Sequence, residues 1–356
     1  SGEIDGDTIW GRGTIDMKGN AVMHLLALSS LTERAAEDDL PFNVSMLCVS
    51  GEEVHGIKGA KIITDHFLDE LNPAVVFGEG GIGNTRELPG LDDQLVFFVS
   101  LNDKRSAWIK LDLHYETSGH GAVPPPEYTN KLMINALSGL TKKDARISLH
   151  RDARTMLRSY GRLRKGIPGF ILKNPVIFRP LVTAGLKKNH LMLSTVTNTT
   201  TITGIFNPDT DINQIPQEIT VHLDCRLLPC TSTQDFMSLL EKKLGNDLIE
   251  ITLIEETRNA TTTVPDSFYR LFCDALGEVY PGSEVIPVMF PATTDNNYFR
   301  NRGIPVFGII PSVLDRGLLE TIHNYDERIP VEAVVSGTRV YMRFLEKVLS
   351  GEEPTL

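Results

Sequence analysis

The chain has 356 residues, of which 41% are hydrophobic and 23% charged, and its formal net charge is −11. This length predicts two domains rather than one, and the composition is typical of a soluble globular protein. No apolar run approaches the roughly 20 residues that a membrane-spanning helix needs, so we predict no membrane span. The four cysteines, Cys48, Cys225, Cys230 and Cys273, form no C-x-x-C pair and indicate neither a zinc knuckle nor a disulfide framework.

The first residues, from Ser1 onward, already resemble the interior of a domain. We therefore expect the chain to be a fragment, with any signal peptide in the missing segment. The compartment stays open: the cytoplasm is the default, and a periplasmic or secreted location is the alternative.

The charge is unevenly distributed. The segment 141–190 contains 13 Lys and Arg against two acids, Asp144 and Asp152, so it carries +11 while the remainder of the chain carries −22. Such a block can bind nucleic acid or an anionic membrane, or it can be a solvated helix face on an otherwise acidic protein. We favour the solvated face and predict no nucleic-acid partner, because the block lacks the interleaved aromatic residues that bind single strands.

Near the amino terminus, a glycine-punctuated turn within 7–19 follows a short strand and contains Asp16. A helix is predicted over 20–31, because Val22, Leu25, Leu26 and Leu28 form an apolar stripe. Asp16 just before this helix could be a helix N-cap or a ligand.

The next informative stretch is 49–56, Val-Ser-Gly-Glu-Glu-Val-His-Gly. It follows an apolar, partly alternating run at 42–48, which predicts a buried strand. Two adjacent acids, Glu52 and Glu53, would then lie at the carboxyl end of a strand, where open α/β sheets bind ligands. They repel each other unless a cation or a shared proton holds them. The alternative is an ordinary acidic turn before a helix, whose first turn favours Glu.

Glu79 repeats this pattern, because it follows a predicted strand at 73–77 within Gly-Glu-Gly-Gly. With Asp16 and the Glu52-Glu53 pair, three strand ends would bring carboxylates into one crevice. Gathering them without a counter-cation is unfavourable. The sequence therefore predicts a metal ion there.

From about Lys104 the pattern changes to strands with one wet face, in the order strand, helix, strand, strand, helix, strand. This is the order of a ferredoxin-like α+β module. The predicted elements are strands at 108–115, 197–203, 219–227 and 248–253 and helices at 129–140 and 236–244.

An α/β pattern then resumes, with helices at 267–280 and 331–349 and a strand at 304–310. We therefore predict an α/β catalytic domain, with a mixed sheet flanked by helices, formed by 1–103 and 258–356. An inserted lid or dimerisation domain, 104–257, interrupts it.

Eight short motifs occur along the chain. They are Gly11-Arg12-Gly13-x-x-Asp16-Met17-Lys18-Gly19, Gly51-Glu52-Glu53, Gly78-Glu79-Gly80-Gly81, His120-Gly121-Ala122-x-Pro124, Asn213-x-Ile215-Pro216, Asp224-x-Arg226, Thr294-Asp295 and His323-x-x-x-Glu327-Arg328. Read together, they resemble the co-catalytic zinc exopeptidase and deacylase family, which includes aminoacylase, acetylornithine deacetylase, succinyl-diaminopimelate desuccinylase and carboxypeptidase S. Each motif is weak alone, but eight in the family's order, over nearly the whole chain, are specific. The long lid and Arg226-Leu227-Leu228-Pro229 are most similar to the carboxypeptidase S-like branch.

The resemblance implies two divalent ions in the full-length protein, zinc first, with cobalt or manganese as alternatives. Asp16 would bridge them, Glu53 and His323 would complete one ion's ligands, and Glu79 would belong to the other. Glu52 would then be the general base. Oxygen and imidazole ligands with an open coordination position suit catalytic zinc.

The resemblance also implies substrate contacts from the lid. Arg226 and Asn213 would lie near the substrate, and the planar fork of an arginine matches a free carboxylate. His120 would donate to the carbonyl oxyanion, in many members across a dimer. Two oligomeric states stay open: a homodimer through the lid domain, and the monomer of several relatives with long lids.

Two departures from the family pattern bear on the site. Asn296 and Asn297 stand where the family commonly has a small residue and Arg, so different substrate contacts are expected at that rim. The family takes its remaining metal ligand from a His-x-Asp motif upstream of Asp16, and this chain does not contain one. We therefore expect this chain to bind one zinc tightly and the other weakly, to associate readily, and to have little activity.

The favoured function is metal-dependent hydrolysis of an amide next to a C-terminal amino acid, in a small peptide or an N-acyl amino acid. One alternative is a non-catalytic relative that binds or regulates, which the presence of both Glu52 and Glu53 disfavours. Another is a nucleic-acid or membrane-surface protein that acts through segment 141–190.

Overall fold

The structure, a computed structural model, describes residues 2–37, 40–84, 90–91, 94–117, 119–141, 146–208, 211–258 and 261–352. Asp144 and the adjoining residues 142, 143 and 145 of the basic segment lie outside the described residues. The strands are β1 (Glu3–Asp5), β2 (Thr8–Trp10), β3 (Val76–Asn84), β4 (Val96–Asp103), β5 (Arg105–His114), β6 (Thr199–Phe206), β7 (Glu218–Leu227), β8 (Ile249–Glu256), β9 (Glu284–Phe290), β10 (Val306–Val313) and β11 (Arg328–Pro330). The helices are α1 (Lys18–Ser29), α2 (Thr32–Ala36), α3 (Ala60–His66), α4 (Leu68–Leu71), α5 (Thr129–Thr141), α6 (Arg151–Leu163), α7 (Gly166–Lys173), α8 (Arg179–Leu186), α9 (His190–Ser194), α10 (Thr233–Leu244), α11 (Ser267–Val279), α12 (Asn296–Arg300), α13 (Arg316–Leu319) and α14 (Val331–Leu349).

A mixed sheet forms the centre of the α/β part of the chain, with the strand order β10-β3-β4-β9. β10 is parallel to β3 and β4 is parallel to β9, whereas β3 and β4 are antiparallel. Every residue of β4 is buried, as expected for a strand with both faces covered. Residues of α1, α11 and α14 form one core cluster with this sheet. The predicted mixed sheet flanked by helices is confirmed.

The inserted module has its own antiparallel sheet, in the order β6-β7-β5-β8. Alternate residues of β5, namely Ala107, Ile109, Leu111 and Leu113, are buried. They form a cluster with residues of α5 and α10. The other face of the strand is less buried, so the period of two follows from one covered face. This is the predicted ferredoxin-like arrangement.

A single residue, Lys104, separates β4 in the first sheet from β5 in the second. Its side chain is buried, and Nζ donates to the Ser194 carbonyl and to Thr199 Oγ1, each at 3.2 Å. Burial lowers the pKa of Lys104 to about 7, and the nearby charge of Arg226 adds to this effect. The domain boundaries at 103/104 and 257/258 stay predictions.

The basic segment folds into helices α6–α9, which pack against the mixed sheet rather than against the lid sheet. Met156, Leu157 and Tyr160 of α6 form a core cluster with Phe98 of β4 and Ile286 of β9. The basic residues of α6, such as Arg158 and Arg162, are exposed. The predicted solvated face therefore describes only the outer side of α6, while its inner side forms part of the core.

The buried strand predicted at 42–48 is wrong. The structure assigns no strand to this segment, and Phe42 and Leu47 are 43% and 42% exposed. An extended segment becomes a strand only when a neighbour pairs with its N–H and C=O groups. Among the described residues, no strand pairs with it.

Glu79 lies inside a strand, not after one, because β3 continues to Asn84. A Cβ at Gly80 would lie 2.6 Å from the Gly308 carbonyl oxygen, and one at Gly81 would lie 1.9 Å from that of Phe98. These glycines therefore permit close approach of β10 and β4 instead of ending the strand. The prediction of carboxylates at three strand ends is wrong in this respect.

Candidate metal centre and catalytic cleft

The two adjacent glutamates lie in a short 3-10 turn, Glu52–Val54. Gly51 before it and His55 after it both have positive φ, and the Gly56 N–H donates to the Gly51 carbonyl at 2.7 Å. A Cβ at Gly56 would lie 1.9 Å from Asp295 Oδ1. Glycine is therefore required here, since the turn packs directly on the segment that contains Asp295.

Asp16 lies in a turn that Glu327 holds from the opposite end of the chain. The Glu327 carboxylate accepts backbone N–H bonds from Gly13 at 2.8 Å, Ile15 at 3.0 Å and Asp16 at 3.1 Å, and the Arg12 guanidinium lies 3.4 Å away. Burial acts to raise the pKa of Glu327, but these donors outweigh it and hold the pKa below its usual value. Glu327 is thus a positioning residue for the Asp16 turn.

His323 completes a group of three potential ligands. Its Nε2 lies 3.0 Å from Asp16 Oδ2 and 3.4 Å from Glu53 Oε1. One ligand atom from each residue lies within 4.8 Å of the other two. Two carboxylates and one imidazole make a suitable donor set for catalytic zinc, which uses three protein ligands and an open position. The three residues therefore fit the metal that the motifs imply.

Glu52 and Glu79 adjoin this group, and each is partly buried. Burial raises the pKa of Glu52, and the charges of Asp295, Glu53 and Asp16 raise it further. Burial also raises the pKa of Glu79, together with the charges of Glu52 and Asp16. A cluster that resists ionisation in this way would be stabilised by a cation.

Arg226 lines the same cavity, which measures about 710 Å³ and contains all five of the predicted metal and base residues. Its Nε and Nη2 donate to the two carboxylate oxygens of Asp224 at 2.8 and 2.9 Å. A guanidinium has five N–H groups, so about three remain beyond this pair. The cavity lining also includes the apolar residues Ile82, Phe98, Leu191, Met192, Val288 and Ile310.

His120 and Asn213 are not in this cavity. They contact each other on the lid, where His120 Nε2 lies 3.1 Å from Asn213 Nδ2, and they line a separate cavity of about 690 Å³. Within one chain, the predicted site residues thus lie in two places. The predicted metal and base residues, which we call the metal group, line one cavity together with Arg226, and His120 and Asn213, which we call the lid pair, line the other.

The segment after β9 contains two buried asparagines, Asn296 and Asn297, which the motifs marked only as a departure from the family pattern. The Asn296 side chain donates to the Glu79 carbonyl at 2.8 Å, and a Cβ at Gly78 or Gly308 would collide with its amide. Asn296 therefore positions the strand that contains Glu79. The neighbouring Asn297 is buried and lines the cavity, and neither of its amide atoms has a partner among the described residues.

A model of peptidase family M20/M25/M40 matches residues 1–347. The chain belongs to this family. M20 proteins are metal-dependent hydrolases of peptides or acyl amino acids, typically with zinc, and the resemblance read from the motifs is confirmed.

Among curated relatives, the probable carboxypeptidase S-like 2 of Dictyostelium discoideum is 27% identical over 338 residues, which are 93% of this chain and 64% of that protein. The human N-fatty-acyl-amino acid synthase/hydrolase PM20D1 is 23% identical over 359 residues, 99% of this chain and 70% of that protein. The chain thus spans about two thirds of the length of these M20 relatives.

Solved M20 structures show the same fold. The M20 family metallo-carboxypeptidase Sso-CP2 from Sulfolobus solfataricus has a TM-score of 0.67 at 19% identity, over 97% of this chain and 79% of that one. Human carnosine dipeptidase 1 has a TM-score of 0.65 at 15% identity, over 98% of this chain and 74% of that one. At these identities the likeness supports the fold alone.

Proposed function

We propose that this protein hydrolyses an amide bond next to a C-terminal amino acid, in an N-acyl amino acid or a small peptide. The observation that carries the proposal is the convergence of Asp16, Glu53 and His323 within 4.8 Å, in the cavity that Glu52 and Arg226 also line. Membership of M20 and the names of the relatives support the same class of reaction.

In this proposal, Asp16, Glu53 and His323 hold one zinc ion, and Asp16 together with Glu79 contributes to a second. When bound, zinc acts as a Lewis acid toward the scissile carbonyl and lowers the pKa of water. Glu327 and Asn296 keep the Asp16 turn and the Glu79 backbone in place for this binding.

Glu52 is the proposed general base. It takes a proton from the attacking water and gives the same proton to the leaving amine. Burial and neighbouring carboxylates raise its pKa, which strengthens it as a base. Arg226 binds the substrate carboxylate through the N–H groups that Asp224 does not occupy.

The apolar residues of the cavity favour an N-acyl amino acid with an apolar acyl group over a dipeptide. Ile82, Phe98 and Met192 line the same cavity as Arg226, and burying acyl carbons against them gains hydrophobic free energy. The name of the PM20D1 relatives, N-fatty-acyl-amino acid synthase/hydrolase, agrees with this choice.

The test is the Glu52→Gln variant, assayed on N-acyl amino acids of increasing chain length and on dipeptides, with and without zinc. We expect its zinc content to match the unsubstituted protein while kcat falls by about 10²-fold or more, because a general base contributes about 10² to 10⁴. Glu37→Gln, at an exposed glutamate in another part of the chain, is the control.

A Glu52→Gln variant with unchanged kcat at saturating zinc would refute the role of the base. Because this chain by itself is expected to have little activity, the series is assayed with the full-length protein. Failure of its unsubstituted, zinc-loaded form to hydrolyse any member of the series would instead favour the non-catalytic alternative.

A further inference from the structure

The helical hairpin α7–α8 presents large apolar side chains to solvent. Ile167 and Ile177 are 75% and 74% exposed, and Phe170, Val176 and Leu181 between and beside them are more than half exposed. Single exposed apolar residues are ordinary on a protein surface, but a contiguous group marks an interaction site. We call these five residues the apolar hairpin surface.

The backbone fixes this orientation through two glycines. A Cβ at Gly161 of α6 would lie 2.8 Å from the Lys173 nitrogen, and one at Gly169 of α7 would lie 1.8 Å from the Arg164 carbonyl oxygen. Such close packing turns the Gly169 side of α7 inward, so Ile167 and Phe170 point away from α6. In α8, Val182 and Leu186 are the buried side, which leaves Leu181 outward.

The charges of the segment that contains the hairpin have one sign. Between Ala153 and Pro208 the sequence has no Asp or Glu, in a chain whose net charge is −11. The exposed basic residues adjoining the apolar hairpin surface are Lys165, Lys173, Arg179, Lys187 and Lys188. Apolar side chains flanked by cations are complementary to an anionic lipid surface, where the apolar groups enter the headgroup boundary and the cations meet lipid charges.

We propose that the α7–α8 hairpin docks this protein on anionic lipid surfaces. No helix among the described residues combines the length and apolarity needed to cross a bilayer. The next helix, α9, contributes Leu191 and Met192 to the lining of the catalytic cavity. Docking would thus bring the cavity close to lipid-dissolved substrates, a consequence that rests on the proposed function, whereas docking itself does not.

The experiment is co-sedimentation of the whole chain with phosphatidylcholine vesicles, with and without phosphatidylserine, at low and high salt. We expect salt-sensitive binding to the phosphatidylserine vesicles and little to phosphatidylcholine alone. The apolar variant Ile167→Ser/Ile177→Ser should bind at least about tenfold more weakly. The charge variant Lys187→Glu/Lys188→Glu should bind phosphatidylserine vesicles about 25-fold more weakly or worse, because each lysine charge removed lowers the affinity about fivefold.

Matched controls lie elsewhere on exposed helical surfaces: Ile134→Ser for the apolar variant and Lys131→Glu/Lys242→Glu for the charge variant. Both controls should bind vesicles like the unsubstituted protein. Equal binding by all variants, or no binding to phosphatidylserine vesicles, overturns the proposal. A monomer–dimer equilibrium in sedimentation velocity that the apolar variant abolishes also overturns the proposal, because a second copy of the chain would then cover the apolar hairpin surface. Retention on RNA without vesicle binding would assign the basic charge to nucleic acid and overturn it as well.

Discussion

Glu327 joins the two ends of the chain at the candidate metal centre, because its carboxylate accepts three backbone N–H bonds from the turn that contains Asp16. We expect Glu327→Gln to lower the free energy of unfolding by about 3 kcal/mol at neutral pH, since bonds to a charged acceptor are lost and an amide N–H₂ faces N–H donors. Urea unfolding measures this change, and Glu241→Gln, at an exposed site on α10, is the control.

The effect has a defined pH dependence. Because the pKa of Glu327 is lower in the folded protein than its ordinary value of 4.5, its stabilisation is complete above about pH 4.5 and is lost as the pH falls through the folded-state pKa. The difference between the two proteins should shrink over that acidic range. A difference that stays constant down to the acid unfolding transition would contradict the ionised role.

The motif His323-x-x-x-Glu327 marked the right residue, but its role was not readable. The backbone groups that donate to Glu327 lie more than 300 positions earlier in the chain. A local sequence pattern does not show which residues so far apart come into contact. The convergence of Asp16, Glu53 and His323 was predictable, and their role as metal ligands stays a prediction. His120 and Asn213 converge with each other and not with the metal group, since the orientation of the lid is a tertiary property.

Asn297 is 4% exposed, and neither its amide donor nor its acceptor has a partner among the described residues. A buried amide left unpaired costs about 1 to 3 kcal/mol, and a substrate amide could satisfy both groups. We expect Asn297→Ala to leave stability unchanged or higher, while kcat/KM on amide substrates falls about tenfold or more. Asn301→Ala, at an exposed residue of the same cavity, is the control. A variant that loses stability and keeps kcat/KM would show a purely structural amide.

At the level of elements, strong periodicity predicted position well. The predicted helix over 331–349 coincides with α14, and the alternating lid strands coincide with β5–β8 within a few residues. The predictions failed for strands with a weak sequence pattern, because pairing with a neighbouring strand decides whether such a segment is a strand. The run at 42–48 has no partner among the described strands, and β9 was not predicted; Pro287 lowers the strand signal of that segment although it pairs with Val99.

One contact between elements links the Glu52–Val54 turn to the lid sheet. His55 follows the Glu52–Val54 turn, and the centroid of its ring lies 4.0 Å from that of the Trp108 ring of β5. Its Nδ1 lies 3.2 Å from Glu255 Oε1 of β8. We expect His55→Ala to lower kcat about three- to tenfold with KM and zinc content little changed, because the proposed base, Glu52, then samples more positions.

The double variant His55→Ala/Trp108→Leu tests this link as a cycle. If the two rings act through one contact, the effects on stability should be non-additive by about 1 kcal/mol. His66→Ala, at an exposed histidine of α3, should change neither kcat nor stability. Additive effects would show that the ring contact does not couple the turn to the lid.

For the whole molecule, the order of the motifs was sufficient to identify the family and the two-module architecture. The place of the basic segment was not predictable in this way. Helices α6–α9 are inserted between lid elements in sequence yet contribute to the core over the mixed sheet. Amphipathicity indicates that a helix has an inner face, but not which of two sheets covers it.

The separation of His120 and Asn213 from the metal group within one chain leads to the last prediction. If the lid pair acts across a homodimer, as His120 would in many members of the family that the motifs resemble, then each active site needs residues of two chains. Glu52→Gln and His120→Ala would be nearly inactive alone. Mixed as unfolded chains and refolded together, they should recover roughly a quarter of the unsubstituted activity, since about half of the dimers are mixed and each has one intact site of two. The double variant Glu52→Gln/His120→Ala, refolded with unsubstituted protein, should instead depress its activity. Absence of both effects, with a monomer in sedimentation velocity, would show that the lid closes over its own chain.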